Sequence, residues 1–385
     1  MNAIRLSAKA AIPLLLVLLA GACQGGAARP GAVPAELSGE AVFARARPAT
    51  VLVYARFSAD LTAPGITMSS AQQQALGKAL VARATAGHLD LDNQQAVAIA
   101  ATEEVADNVL SYLSPDPDPA KLQKLPTEQV AVMGSGFVVS SDGAVVTSAH
   151  IVAPGARLIE PAMLRQAAAT LASAPTFTQT TGAPPVTLPP DLMRRMVDAA
   201  LKWTLKYAHV GDITTTLLAF AGDSIPGELD ATRAIPAKLV TAGAPLPGED
   251  VAVIKLDSRR RWSPAALGAE SALRIGDRLY VVGYPAAVSL DPTLRQDAPF
   301  TPQLARGVLS GRQPMDGGWN AIQTDAATTH GCSGGPILNS QGQVVGVLSA
   351  GGIDPDTAQE VQGAGVGVPA SVVRAFVAKA GVRTA

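Results

Sequence analysis

The stretch Gly331-Cys332-Ser333-Gly334-Gly335-Pro336 sets a single hydroxyl among glycines. Glycine lets the backbone turn sharply and bring two N–H groups up beside that hydroxyl, which is the geometry that stabilises an oxyanion. Ser333 is therefore the candidate nucleophile, and the amides of Gly331 and Ser333 are the candidate oxyanion hole. The register of the run puts Ser333 and not Cys332 at the attacking position, and Cys332 reads as a small buried residue with an inert thiol in preference to a redox control point.

The partners of Ser333 follow from order along the chain. The run satisfies G-x-S-x-G, the nucleophile elbow of esterase-type α/β hydrolases, but that arrangement needs an acid and then a histidine downstream. All four histidines, His88, His150, His209 and His330, precede Ser333. Nor does a helix follow: Pro336 to Ala350 alternates around Ser340-Gln341-Gly342 and predicts a hairpin. The base must come from upstream. His150 ends the strand Ala144 to Ala149, after the tight Asp142-Gly143 turn, and its small neighbours leave the ring room to reach out. His330 is three residues from Ser333, His209 closes an amphipathic helix and His88 sits in a helical stretch, so these read as surface or capping residues. For the orienting acid, Asp250 opens the alternating segment Val251 to Leu256; Asp325, eight residues before Ser333, is the rival, though its nearness suggests bracing of the loop. The order His150, Asp250, Ser333 is that of the two-barrel serine proteases and not that of subtilisin.

Six blocks then carry a resemblance. Gly134 to Gly143 with Thr147-Ser148-Ala149-His150, Glu249 to Lys255, Leu273 to Asp277, Val282-Gly283-Tyr284-Pro285, Ile322 to Ala327 with Gly331 to Pro336, and Gly365 to Pro369 occur in sequence. Together they resemble the HtrA-type serine proteases, over about 200 residues. The resemblance implies a mainly β fold of two antiparallel six-stranded barrels with the site in the cleft between them, and endopeptidase cleavage of periplasmic or envelope proteins. By the same likeness Ala327 would floor the substrate pocket, with Leu348, Ser349 and Ala350 along one wall. None of these is charged, so cleavage after Arg or Lys is not expected, and a small aliphatic preference is. The chain closes soon after the last block, with no room for the C-terminal peptide-binding domain common in the family. Two other readings stay open: an envelope lipoprotein whose silent protease-like core is a binding module, and an esterase using the same triad.

Two helical patterns interrupt the strands, and the expected bounds of these insertions are about 60–126 and 155–232. Ala41 to Phe57 reads as a strand region. In the first insertion Leu76, Leu80 and Ala84 are followed, after a possible capping box of Asp92 and Gln95, by Val97, Ala101 and Val105. In the second, Leu192, Met196, Ala200, Trp203 and Tyr207 share one helix face. The last amphipathic segment is Ala370 to Ala380.

At the N-terminus Arg5 and Lys9 precede the apolar run Ala10 to Ala20, and Gly21 and Ala22 lead into Cys23. This is a signal-peptide pattern, and cleavage before a cysteine resembles the bacterial lipoprotein signal. The expectation is a signal peptide over 1–22, a lipidated Cys23, a Gly/Ala/Pro linker over 23–38 and a protease domain over 39–385. Gln24 after the cysteine favours the outer membrane, facing the periplasm.

Composition narrows the rest. Across 385 residues, 30 Lys+Arg against 31 Asp+Glu leave a net charge of -1, which argues against a nucleic-acid partner. Gly 36 and Pro 29 imply many turns between short elements. Two cysteines cannot build a disulfide framework. No cofactor is expected, and no metal, since neither Cys332 nor His330 has the further ligands a zinc site requires.

Overall fold

The strand Thr50–Ala63 (β1) shows how this sequence builds its core. Val51, Val53, Ala55 and Phe57 point to one face and join the largest apolar cluster, while Leu52 and Tyr54 point to the other and meet Phe220 and Tyr284. The structure is a computed structural model; it describes residues 35–173, 188–221, 233–285, 301–353 and 360–384. All that follows lies within the compact unit Glu36–Ala385. Cys23 and its leader fall outside the described residues.

After β1 come Ile66–Thr67 (β2), Ser114–Pro115 (β3), Gln123–Val138 (β4), Ala144–Thr147 (β5), His209–Val210 (β6), Thr214–Ala221 (β7), Ile235–Ala242 (β8) and Ala252–Leu256 (β9). The order β4-β5-β9-β8-β7-β1 closes on itself because β1 also pairs with β4, from Thr50↔Phe137 to Ala63↔Gln123. This is the first six-stranded antiparallel barrel, and β6 pairs with the far end of β1. Arg278–Gly283 (β10), Gln303–Pro314 (β11), Asn320–Thr324 (β12), Pro336–Leu338 (β13), Val344–Ile353 (β14) and Glu360–Pro369 (β15) close a second barrel in the order β10-β11-β12-β15-β14-β13. The expected double barrel is what forms.

Between the barrels lies a third layer of core. Phe137, Val139, Val146, Val251 and Val253 from the first barrel meet Tyr280, Val282, Leu338, Val344 and Val347 from the second, and Val373 and Phe376 of the helix Ala370–Lys379 close it. The site sits on this seam.

The first helical insertion lies between β1 and β4, and the second begins at Ala156, just after the one-turn helix Ala149–Val152. In the first, the helix Ser70–Thr85 opens with a capping box in which Ser69 Oγ accepts from Gln72 N and the Gln72 side chain accepts from Ser69 N. In the second, the helices Ala156–Ser173 and Pro190–Tyr207 bury Met163, Leu192, Met196 and Trp203 against the first barrel's core.

Four expectations need correction. Ala41 to Phe57 is not all strand: Ser38 accepts from Ala41 N and caps a helix, Gly39–Ala46, that buries Val42 and Ala46, and strand begins at Thr50. The pinned part of the chain starts before residue 39, since Leu37 N donates to Ser340 O at 2.8 Å and Glu36 pairs with Arg278 at 2.9 Å. The cap of the helix Gln94–Asp107 is Asn93, which accepts from Ala96 N, and not Asp92. The helical insertions are also shorter than their expected bounds, because β1 and β4 reach 63 and 123, and β7 lies inside the stretch 155–232. The run of threonines in Thr214 to Thr216 carried the β signal that the helical reading overran.

Candidate active site

His150 stands in the one-turn helix Ala149–Val152 directly after β5. Its neighbours Ala149, Ile151 and Val152 are buried and fix that turn. Ile151 fills the space that glycine leaves at 134; a Cβ there would stand 2.1 Å from Ile151 Cδ1. The imidazole is held at its inner edge. His150 Nδ1 lies 2.6 Å from Asp250 Oδ2, and His150 N donates to Oδ1 at 2.8 Å. Asp250 is wholly buried, and the His150 side chain is 30% exposed. In the tautomer that donates Nδ1–H to the carboxylate, the lone pair is on Nε2.

The Ser333 loop is stitched across the seam. Cys332 N donates to Thr329 O at 3.1 Å, and Gly331 has φ of 93°, the signature of a type II turn, which only glycine fits easily at that position. Ser135 N donates to Ser333 O at 2.7 Å, and Gly334 N donates to Leu348 O at 2.6 Å. Ser135 Oγ donates to Gly331 O at 2.6 Å and accepts from Tyr284 N at 2.9 Å. Thr147 Oγ1 donates to Ser135 O at 2.7 Å, and Ser148 Oγ to Leu348 O at 3.0 Å. A Cβ on Gly334 would meet Ser135 O at 2.1 Å and Thr147 Oγ1 at 2.4 Å. The loop thus rests on the two segments of the first barrel that lead into His150.

Ser349 was expected on the pocket wall, yet its hydroxyl turns inward and donates to Asp250 Oδ2. Leu348 is 1% exposed and packs with Leu279, Ile322, Ala326 and Cys332 inside the second barrel. Ala327 is exposed. Asp325 braces its loop by accepting from Val308 N at 2.6 Å. The contributions of Ser135 and Ser148 went unread in the sequence, although both lie within the first motif block, and Ser349 was read for the pocket rather than for Asp250.

A model of the trypsin-like peptidase domain matches residues 219–347. The fold is the trypsin-like double barrel. The matched span holds Asp250 and Ser333 and begins beyond His150, which the second helical insertion sets apart. Over 125 residues the chain is 32% identical to "Serine protease Do-like HtrA" of Bacillus subtilis, covering 32% of this chain and 26% of that protein. Over 102 residues it is 40% identical to "Putative serine protease HhoA" of Synechocystis, covering 26% and 25%. Over 139 residues it is 32% identical to "Probable periplasmic serine endoprotease DegP-like" of Brucella suis, covering 36% and 25%. The chain thus spans about a quarter of the length of these relatives. Among solved structures, an HtrA-type protease with decapeptide superposes at a TM-score of 0.45 and 17% identity, over 90% of this chain and 68% of that one. Sequence similarity thus points to serine proteases of the HtrA type. Among the described residues no helix is long and apolar enough to cross a membrane.

Proposed function

We propose that this protein is a serine endopeptidase of the cell envelope that uses His150, Asp250 and Ser333 as its triad. The observation that carries the reading is the two-point clamp of Asp250 on His150, through backbone N and Nδ1, beside a nucleophile loop tied to the same segment of the first barrel.

In this mechanism Nε2 of His150 takes the Ser333 proton as Oγ attacks the carbonyl, then delivers it to the leaving amine. Asp250 keeps the proton on Nδ1 and stabilises the ring while it is charged. The type II turn at 329–332 turns the Gly331 amide out of the turn plane, where with the Ser333 amide it would meet the developing oxyanion. Water then repeats the sequence on the acyl-enzyme. The uncharged residues Ala327 and Ala350 suit small aliphatic side chains before the cut bond; burying a substrate cation there would leave its charge unpaired. Cys23, in its lipoprotein-like context, would hold the enzyme to the outer membrane on the periplasmic side, where unfolded envelope proteins are the substrates.

The test compares purified wild type with Ser333→Ala on an unfolded protein and on a small ester. Wild type should cut the protein and the variant should not. Ester cleavage without proteolysis would replace this reading with an esterase, and inactivity of the wild type toward both would favour a binding module.

A further inference from the structure

Three consecutive arginines, Arg259, Arg260 and Arg261, follow β9 and are exposed. Their loop is pinned at both ends to the β4–β5 turn: Leu256 N donates to Gly143 O and Trp262 N to Ser141 O, each at 3.0 Å. The Arg260 guanidinium stands 4.5 Å from the ring centre of Trp262, which is itself buried. Beside the loop, Lys238 of β8 faces Lys255 of β9 directly across the ladder. Like charges set opposite each other destabilise a strand pair, so nothing in the sheet itself favours this placement. Lys255 pairs with Asp142 at 2.6 Å, while Lys238, Arg259 and Arg261 have no carboxylate partner among the described residues. A cavity of about 570 Å³, lined in part by Ser141, Val240, Lys255 and Arg383, continues the strip toward the C-terminus. A bulge between Leu239 and Thr241 leaves Leu239 and Val240 exposed next to Lys238. The same stretch carries two carboxylates, Asp142 and the exposed Asp257, against the cations Lys238, Lys255, Arg259, Arg260, Arg261 and Arg383, so a net charge of -1 for the whole chain conceals a local excess of cations.

We propose that this face docks onto a bilayer containing anionic phospholipid, with Lys238, Arg259 and Arg261 on the phosphates and Val240 at headgroup level. Aliphatic side chains set among cations gain by entering the interfacial layer. A nucleic acid would want exposed aromatic rings to stack on, and the aromatic residue of this loop, Trp262, lies buried beneath Arg260. The way the chain enters the fold agrees. Leu37 is bonded to Ser340 at the tip of the β13–β14 turn, and Val344 N donates to Ala266 O at 2.8 Å. Ala266 is only four residues past Trp262, at most about 14 Å of chain. This last argument rests on the anchoring part of the proposed function, since only a tether on Cys23 would make the position of Leu37 relevant to a membrane; the charge and shape of the face stand without it.

The test uses the full chain with Cys23→Ser, so that no acyl chain contributes, and Val240→Cys carrying an environment-sensitive fluorophore; Cys332 is buried. The dye reports on this face whatever the leader does. Vesicles of phosphatidylcholine with phosphatidylglycerol should shift its emission to the blue, vesicles of phosphatidylcholine alone should not, and rising salt should reverse the effect. Each cation near an anionic surface strengthens binding about fivefold, so K238Q, R259Q and R261Q together should weaken it about a hundredfold. No shift on the anionic vesicles, an equal shift on both kinds, or a shift with duplex DNA but not with vesicles would each overturn the proposal. Loss of proteolysis in Ser333→Ala has no bearing on this result, so the two readings fail separately.

Discussion

Ser349 Oγ donates to the same carboxylate oxygen of Asp250, Oδ2, that His150 Nδ1 approaches at 2.6 Å. Ser349 belongs to the second barrel and Asp250 to the first, so the orientation of the imidazole depends on how the barrels meet. Ser349→Ala would leave that oxygen with one partner fewer in a buried place. A hydrogen bond to a buried charge contributes about 2 kcal/mol, so kcat on an unfolded protein substrate should fall roughly thirtyfold with KM little changed. An unchanged kcat would show that His150 is held well enough by its own two bonds.

Ser135→Ala removes the donor to Gly331 O and the acceptor of Tyr284 N together. The turn that aims the Gly331 amide loses its brace, and two buried polar groups lose a partner. Activity should fall about tenfold to a hundredfold while His150 and Asp250 stay in place. An active-site phosphonate that labels Ser333 should react correspondingly more slowly, and labelling at the wild-type rate would contradict the role given to the brace.

Gly334→Ala places a methyl group where Ser135 O stands 2.1 Å away, at a φ of 84° that a side chain disfavours. Backbone has to shift on both sides of the seam, so a loss of at least about 2 kcal/mol in thermal or chemical unfolding is expected. An alanine variant as stable as wild type would mean that the seam yields more easily than its hydrogen bonds suggest.

Glu128 gives a prediction in pH. It lies on β4 on the same face as Val130 and Val132, is 5% exposed, and its carboxyl has no hydrogen-bond or ion-pair partner among the described residues. Burial holds its carboxyl above the ordinary carboxylate range. The folded state therefore retains this proton to higher pH than the unfolded chain does, and stability falls as pH rises from the ordinary carboxylate value through the raised one. Glu128→Gln should be more stable than wild type at neutral pH, with the difference closing under acid. Parallel unfolding curves at all pH values would remove Glu128 from this account.

Cys23→Ser should stop acylation and move the protein out of the membrane fraction in cells, or leave its leader uncleaved. Metabolic labelling with a fatty acid analogue reads this directly, and the absence of label on wild type would rule out the lipoprotein reading.

Alternation in strands and glycine at turns made a β protein legible because that information is local, and the double barrel itself came from the family that the ordered motif blocks resemble. His150 could be singled out by elimination among four histidines, and its Nδ1 lies 2.6 Å from Asp250 Oδ2. What escaped the sequence depends on pairing across long intervals. Ser349 alternates with Leu348 on one strand, so which of them faces the cleft is set by the register of β14 with β13 and β15, including the shift between Leu348 and Ala350. Periodicity alone does not fix that register. The helix at Gly39–Ala46 was hidden for a similar reason, since Val42 and Ala46 satisfy both a strand and a helix pattern and the Ser38 cap decides between them. Thr214 to Ala221 was passed over because the strong helical face of Asp191 to Tyr207 led straight into it.

His150 and Asp250 are separated by 100 residues of chain, and Ser135 and Gly331 by 196. Contacts of such long range form late when a chain collapses, because the loops they close must first be ordered. Packing the helices Ala156–Ser173 and Pro190–Tyr207 on the first barrel shortens the effective loop between histidine and acid, but it does nothing for the nucleophile, which waits for the second barrel to close and dock. Under the proposed triad, a growing chain would thus carry a folded first barrel for some time before Ser333 is brought beside His150, and activity would be the last property it gains.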